Sequence, residues 1–120
     1  MRVLLIDDSR AAQAFVRECF HGTDHHIEPA LDAQDALEVL EDQGAQSFDL
    51  ILLDWELPDS SGPDLIGILR DRAKDVPIVM ITSHNRVDDI SRMLTLGARE
   101  YIMKPFTRDI LIRKIESIAV

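Results

Sequence analysis

Five polar residues of this 120-residue chain stand where an apolar run stops. Val3–Ile6 runs into Asp7 and Asp8, Leu50–Leu53 into Asp54, the segment from Pro77 into Thr82, and the segment from Glu100 into Lys104. Three carboxylates brought together would repel one another and raise each other's pKa values. A hard cation among them relieves that repulsion, and carboxylates, a backbone carbonyl and waters are what Mg²⁺ accepts. His and Cys, which would favour zinc, are absent from these positions. A cation, a hydroxyl and an ammonium around one carboxylate make a place for three phosphoryl oxygens. The carboxylate can then act as nucleophile and form an acyl phosphate. Phosphoryl transfer asks mainly for positioning and charge neutralisation, which these groups supply.

Bringing the five together is the task of the elements that carry them. Strand-like and helix-like segments alternate along the whole chain. The strands expected are Val3–Ile6, His26–Leu31, Asp49–Asp54, Pro77–Thr82 and Glu100–Lys104. Ser9–Phe20 has helical spacing, with Ala12, Phe15, Val16, Cys19 and Phe20 on one face, and Gly22 follows it. Asp32 is placed to cap a second helix that ends near Gly44, and Gly62 with Pro63 opens a third. Residues 86–96 form the fourth helix up to Gly97, and Thr107 caps the last, through Ile118.

Strands of buried type alternating with helices predict an α/β fold: a doubly wound, five-stranded parallel sheet flanked by five helices. Pro29 lacks a backbone donor and places the second strand at a sheet edge. In such sheets ligands bind beyond the carboxyl ends of the strands, where strand order reverses. With the order 2-1-3-4-5, the acids of the first and third strands become neighbours, flanked by Thr82 and Lys104.

Composition narrows the function classes. The length predicts one domain, residues 1–120. A net charge of −9 argues against direct nucleic-acid binding, which needs a basic face. No apolar run is long enough to span a membrane or to serve as a signal peptide, and the single Cys19 fits a reducing compartment. The expectation is a cytoplasmic protein.

The segments IDDS at 6–9, LLDWELPDSSG at 52–62, ITS at 81–83 and GAREYIMKPF at 97–106 resemble, with matching spacing, the receiver domain of two-component response regulators. That fold is flavodoxin-like. The resemblance implies that Asp54 is the phosphoacceptor, supplied by the phosphohistidine of a histidine kinase or phosphotransfer protein. Asp7, Asp8 and Asp54, with the backbone carbonyl of Glu56, would hold Mg²⁺. Thr82 and Lys104 would bind the phosphoryl group, Thr82 and Tyr101 would form the switch, and Lys104–Pro105 would be cis. The output face would comprise the fourth helix, fifth strand and fifth helix, from about Arg86 to Ile118. DW at 54–55 and KPFT at 104–107 resemble single-domain chemotaxis-type receivers most. DNA-binding members that dimerise commonly carry paired acids before the switch aromatic, where this chain has Arg99 and Glu100.

Two other classes use related parts. A haloacid-dehalogenase-like phosphatase also has a strand-end Asp with Mg²⁺, but usually a second Asp two residues on, where this chain has Glu56. A flavodoxin-like binding module needs a phosphate loop after the first strand, and DDSRA offers no glycine. His21, His25 and His26 read as surface residues. His84 lies near the site entrance, where it and Glu56 could influence how water reaches an acyl phosphate. Ser83 stands where the family usually has a smaller residue, which narrows access. Trp55 is expected to be part-exposed, and Cys19 and the methionines to fill the core.

Overall fold

The computed structural model describes residues 1–119. Its strands are β1 (Arg2–Ile6), β2 (His26–Ala30), β3 (Leu50–Asp54), β4 (Ile78–Thr82) and β5 (Glu100–Met103). The helices are α1 (Arg10–Cys19), α2 (Ala33–Gln43), α3 (Gly62–Arg72), α4 (Val87–Leu96) and α5 (Arg108–Ala119). One further turn of 3-10 helix, Ala45–Ser47, leads into β3. Within the sheet all strand pairings are parallel and the order is β2-β1-β3-β4-β5, as expected from the sequence.

The central strands carry apolar residues at successive positions because helices cover both sheet faces. Alternate residues feed two separate cores. Leu4, Ile6, Ile51, Leu53 and Met80 meet Ala36 and Leu40 of α2, Leu65, Ile66 and Leu69 of α3, and Met93 of α4. Val3, Leu5, Leu50, Leu52, Val79 and Ile81 meet Val16 and Cys19 of α1 and Leu111 and Ile115 of α5. Each fully buried Leu or Ile contributes about 1.5–3 kcal/mol relative to exposure. Pro29 pairs with Leu5 on the outer strand β2, where its missing N–H costs the sheet no ladder bond on the open side.

Helix starts follow the sequence chemistry. The side chains of Ser9, Asp32, Ser61 and Thr107 accept from the amides of Ala12, Asp35, Asp64 and Ile110. Strand ends are shorter than expected by a residue or so: Leu31, Asp49, Pro77 and Lys104 fall just outside. A larger correction concerns α1. Phe15 is 46% exposed and Gln13 is buried in its stead. Phe15 lies on the flank of the helix, tilted against Phe106 with ring centroids 5.5 Å apart.

Candidate functional site

Strand register decides what meets at the carboxyl edge of the sheet. Asp54 ends β3 and Thr82 ends β4, while Asp7 and Lys104 are the first residues past β1 and β5. Ile6 pairs with Leu53, Asp54 with Ile81, and Thr82 with Met103, so the four polar residues reach one edge together. Gly62 lets α3 start hard against this edge. A Cβ there would lie 2.7 Å from the carbonyl oxygen of Asp54 and 2.9 Å from Cα of Trp55, and backbone cannot yield as a side chain could.

Asp7, Asp8 and Asp54 each present a carboxylate oxygen within 4.8 Å of the others. Asp7 is 2% exposed and Asp54 9%, whereas Asp8 faces solvent. Lys104 Nζ stands 3.2 Å from Asp54 Oδ1 and 3.8 Å from Asp7 Oδ2. The amide of Ser9 donates to Asp7 Oδ1 over 2.9 Å, which holds that carboxylate in place. Thr82 is buried, and its Oγ1 accepts the amide of His84 at 2.9 Å.

Burial pushes the Asp54 carboxyl above its ordinary value; the charge of Asp7 adds to the rise and Lys104 opposes it. Burial also raises Asp7, against the amide of Ser9 and the charge of Lys104, with Asp8 adding to the rise. Both rises come first from burial, with a neighbouring carboxylate adding to each and the single ammonium of Lys104 opposing. The donor set is all oxygen and contains neither His nor Cys, which fits a hard divalent cation better than zinc. It is the single such group of three among the described residues.

Trp55 is not part-exposed. It is buried under His84, whose ring stacks on the indole with centroids 4.3 Å apart and planes 17° from parallel. His84 Nε2 lies 3.1 Å from Glu56 Oε1 and Nδ1 lies 3.6 Å from Asp89 Oδ2. His84 thus ties the loop after β3 to the start of α4 beside the acids. The other histidines do not gather at the site. His21 and His26 are exposed, and His25 is half-buried beside Phe20 and Glu116.

Two supporting residues escaped the sequence reading. The side-chain amide of Gln13 donates to the carbonyls of Asp7 (2.9 Å) and Ala30 (3.1 Å), fixing the backbone at the ends of β1 and β2. A lone polar residue on an inward face was its signal. Asp59 reaches from the loop after β3 to cap α2, accepting from the amides of Ala33 and Gln34, which hold its carboxyl below the ordinary value. No local signal marks it. Tyr101 lies away from the acids, half-buried on β5, with Lys114 Nζ 5.1 Å from its ring centroid and donating to its carbonyl. The Lys104–Pro105 bond is cis, as the resemblance implied.

This arrangement has close parallels. The sequence pattern of the response regulator receiver domain matches residues 3–116. The chain belongs to the response regulator receiver domain family. Among receiver relatives, chemotaxis protein CheY of Pseudomonas aeruginosa is 29% identical, with 98% of this chain and 95% of that protein covered. Chemotaxis protein CheY1 of Helicobacter pylori is 31% identical over 97% of this chain and 94% of that one. A solved CheY-like receiver domain from Methanospirillum hungatei superposes with a TM-score of 0.88 at 27% identity, covering 98% and 92% of the two chains. Receiver domains of two-component regulators are phosphorylation switches, and that general function is this chain's. Membership sets aside the phosphatase-like and flavodoxin-like alternatives. No helix among the described residues is long and apolar enough to cross a membrane.

Proposed function

We propose that residues 1–120 form one receiver domain in which Asp54 takes a phosphoryl group from the phosphohistidine of a histidine kinase or phosphotransfer protein. The observation that carries this reading is the Lys104 ammonium 3.2 Å from the buried Asp54 carboxylate, inside a triad of acids. In the transfer, an Asp54 oxygen bonds to phosphorus as the phosphorus–nitrogen bond to the donor imidazole breaks. The imidazole leaves with the bonding electron pair. Lys104 offsets charge on one phosphoryl oxygen, and the Thr82 hydroxyl donates to another once it turns toward it. Asp7, Asp8, Asp54 and the backbone carbonyl of Glu56 would hold Mg²⁺, which when bound neutralises phosphoryl charge. The domain catalyses its own phosphorylation and hydrolysis, but its work is switching, in the cytoplasm.

The signal leaves through α4, β5 and α5. Phosphoryl oxygens on Asp54 draw Thr82 inward, and space opens behind β4 for Tyr101. Tyr101 pairs with Met80 two residues before Thr82, so the two ends of the switch share adjacent strands. The face carries Arg86, Arg92, Arg99, Arg108, Arg113 and Lys114, and it exposes Val87 (78%), Leu94 (44%) and Ile110 (43%). Asp88, Asp89, Glu100, Asp109 and Glu116 stand among these bases, and apolar anchors within such a mixed-charge surface suit a protein target steered by complementary charge and bound through a population shift. The chain's negative charge, by contrast, disfavours nucleic acid.

Amide hydrogen exchange with and without beryllofluoride, a phosphoryl mimic, tests both parts. Protection is expected to change in the loops after β1, β3 and β4 and also across α4, β5 and α5. Changes confined to the loops would leave the phosphoryl site standing and remove the output face.

A further inference from the structure

The opposite edge of the sheet holds a second charged cavity, of about 310 Å³, between the end of α3 and the turn from α4 to β5. Arg70, Lys74 and Arg99 line it, with Asp75 as the one acid. In a chain of net charge −9, three cations facing one cavity is a local reversal of sign. None of the three is in an ion pair among the described residues.

Arg70 is held for the purpose. Its Nη1 donates to the carbonyl of Leu96 over 3.1 Å, and its side chain runs close to Gly97. Any Cβ at position 97 would come within 2.6 Å of Arg70 Cδ and 3.0 Å of Nε. Gly97 has φ +124°, which by itself calls for a glycine at this turn, and the Arg70 side chain passes over it. The backbone on both walls is fixed as well: Arg99 N–H donates to Ile78 (2.7 Å), and Val76 N–H to Ala73 (3.0 Å). A guanidinium anchored at one nitrogen keeps its remaining donors in a fixed fork, which matches phosphate and carboxylate oxygens.

We infer that this cavity is a binding site for a compact polyanion of the diphosphate class. Three cations against one carboxylate leave an excess of two positive charges, and the volume is at the small end of ligand pockets. The site is remote from Asp54 and does not depend on the phosphoacceptor reading. It lies between α3 and the α4–β5 turn, so a ligand there clasps the two.

The test is a titration of the isotope-labelled full chain with inorganic pyrophosphate, without divalent cations, followed by amide shifts. Saturable shifts are expected at residues 73–76 and 97–99. Arg99→Gln and Lys74→Gln should each weaken binding by about tenfold or more, and Arg86→Gln, outside the cavity, should not. Shifts that grow linearly at every arginine, or that appear only around Asp54 and Lys104, would overturn the site. So would saturable binding that both cavity variants leave unchanged.

Discussion

Replacing Lys104 with Met is expected to slow phosphorylation of Asp54 by about 10²–10³-fold, the usual cost of losing one preorganised charge-stabilising donor. The ammonium sits 3.2 Å from Asp54 Oδ1 and is the one Lys or Arg group in an ion pair with the acid cluster among the described residues. Met keeps the length of the stem and removes the charge together with its hydrogen-bond donors. The nucleophile survives, so the adduct should still form at Asp54, slowly. The rate of adduct accumulation at saturating acetyl phosphate and Mg²⁺ is the measurement. Arg108→Met serves as control, because Arg108 pairs with Asp109 rather than with the acids. A Lys104→Met rate within threefold of the parent would remove Lys104 from the chemistry.

Asp54→Asn is expected to stabilise the metal-free protein at neutral pH by on the order of 1 kcal/mol. For a domain of this size that is a rise in Tm of about 4 °C. The cause is the unfavourable setting of the ionised group, where burial and Asp7 together outweigh Lys104. An acid whose folded pKa lies above its unfolded value contributes stability below the unfolded pKa and loses it as pH rises through the folded pKa. Asp7 and Asp54 both start from 3.8 and are both raised. The parent should therefore lose the contribution of these two groups as pH climbs from below 3.8 through the raised values toward neutrality. The advantage of Asp54→Asn should be near zero at the acid end, full at neutral pH, and smaller when Mg²⁺ is added. Melts in EDTA across that range check it, and a mutant less stable than the parent at neutral pH would contradict that unfavourable setting.

The fold was legible because its signals are local. A four-residue run such as Leu50–Leu53 has few homes other than a strand covered on both faces, and Pro29 excluded β2 from the sheet interior. The meeting of Asp7, Asp8, Asp54, Thr82 and Lys104 needed only strand order and the rule that parallel sheets use their carboxyl edge. What stayed hidden depends on where side chains go after packing. Phe15 and Gln13 are two residues apart on one helix, and the angle at which α1 lies on the sheet decides which turns inward. Here two carbonyls, Asp7 just past β1 and Ala30 at the end of β2, reward the amide of Gln13. Trp55 would be half-exposed on its own loop, but His84, 29 positions later, covers it. Asp59 caps a helix that begins 26 residues before it. No spacing rule reaches that far.

Intact-protein mass spectrometry after incubation with acetyl phosphate bears most directly on Asp54 as the phosphoacceptor. With Mg²⁺ present, one phosphoryl group is expected per chain; in EDTA, almost none. Asp54→Asn should carry none under either condition, while Asp59→Asn, in the same loop, should be modified like the parent. A phosphoryl adduct that persists in Asp54→Asn, or a parent that takes up no phosphoryl group with Mg²⁺ present, would contradict the assignment.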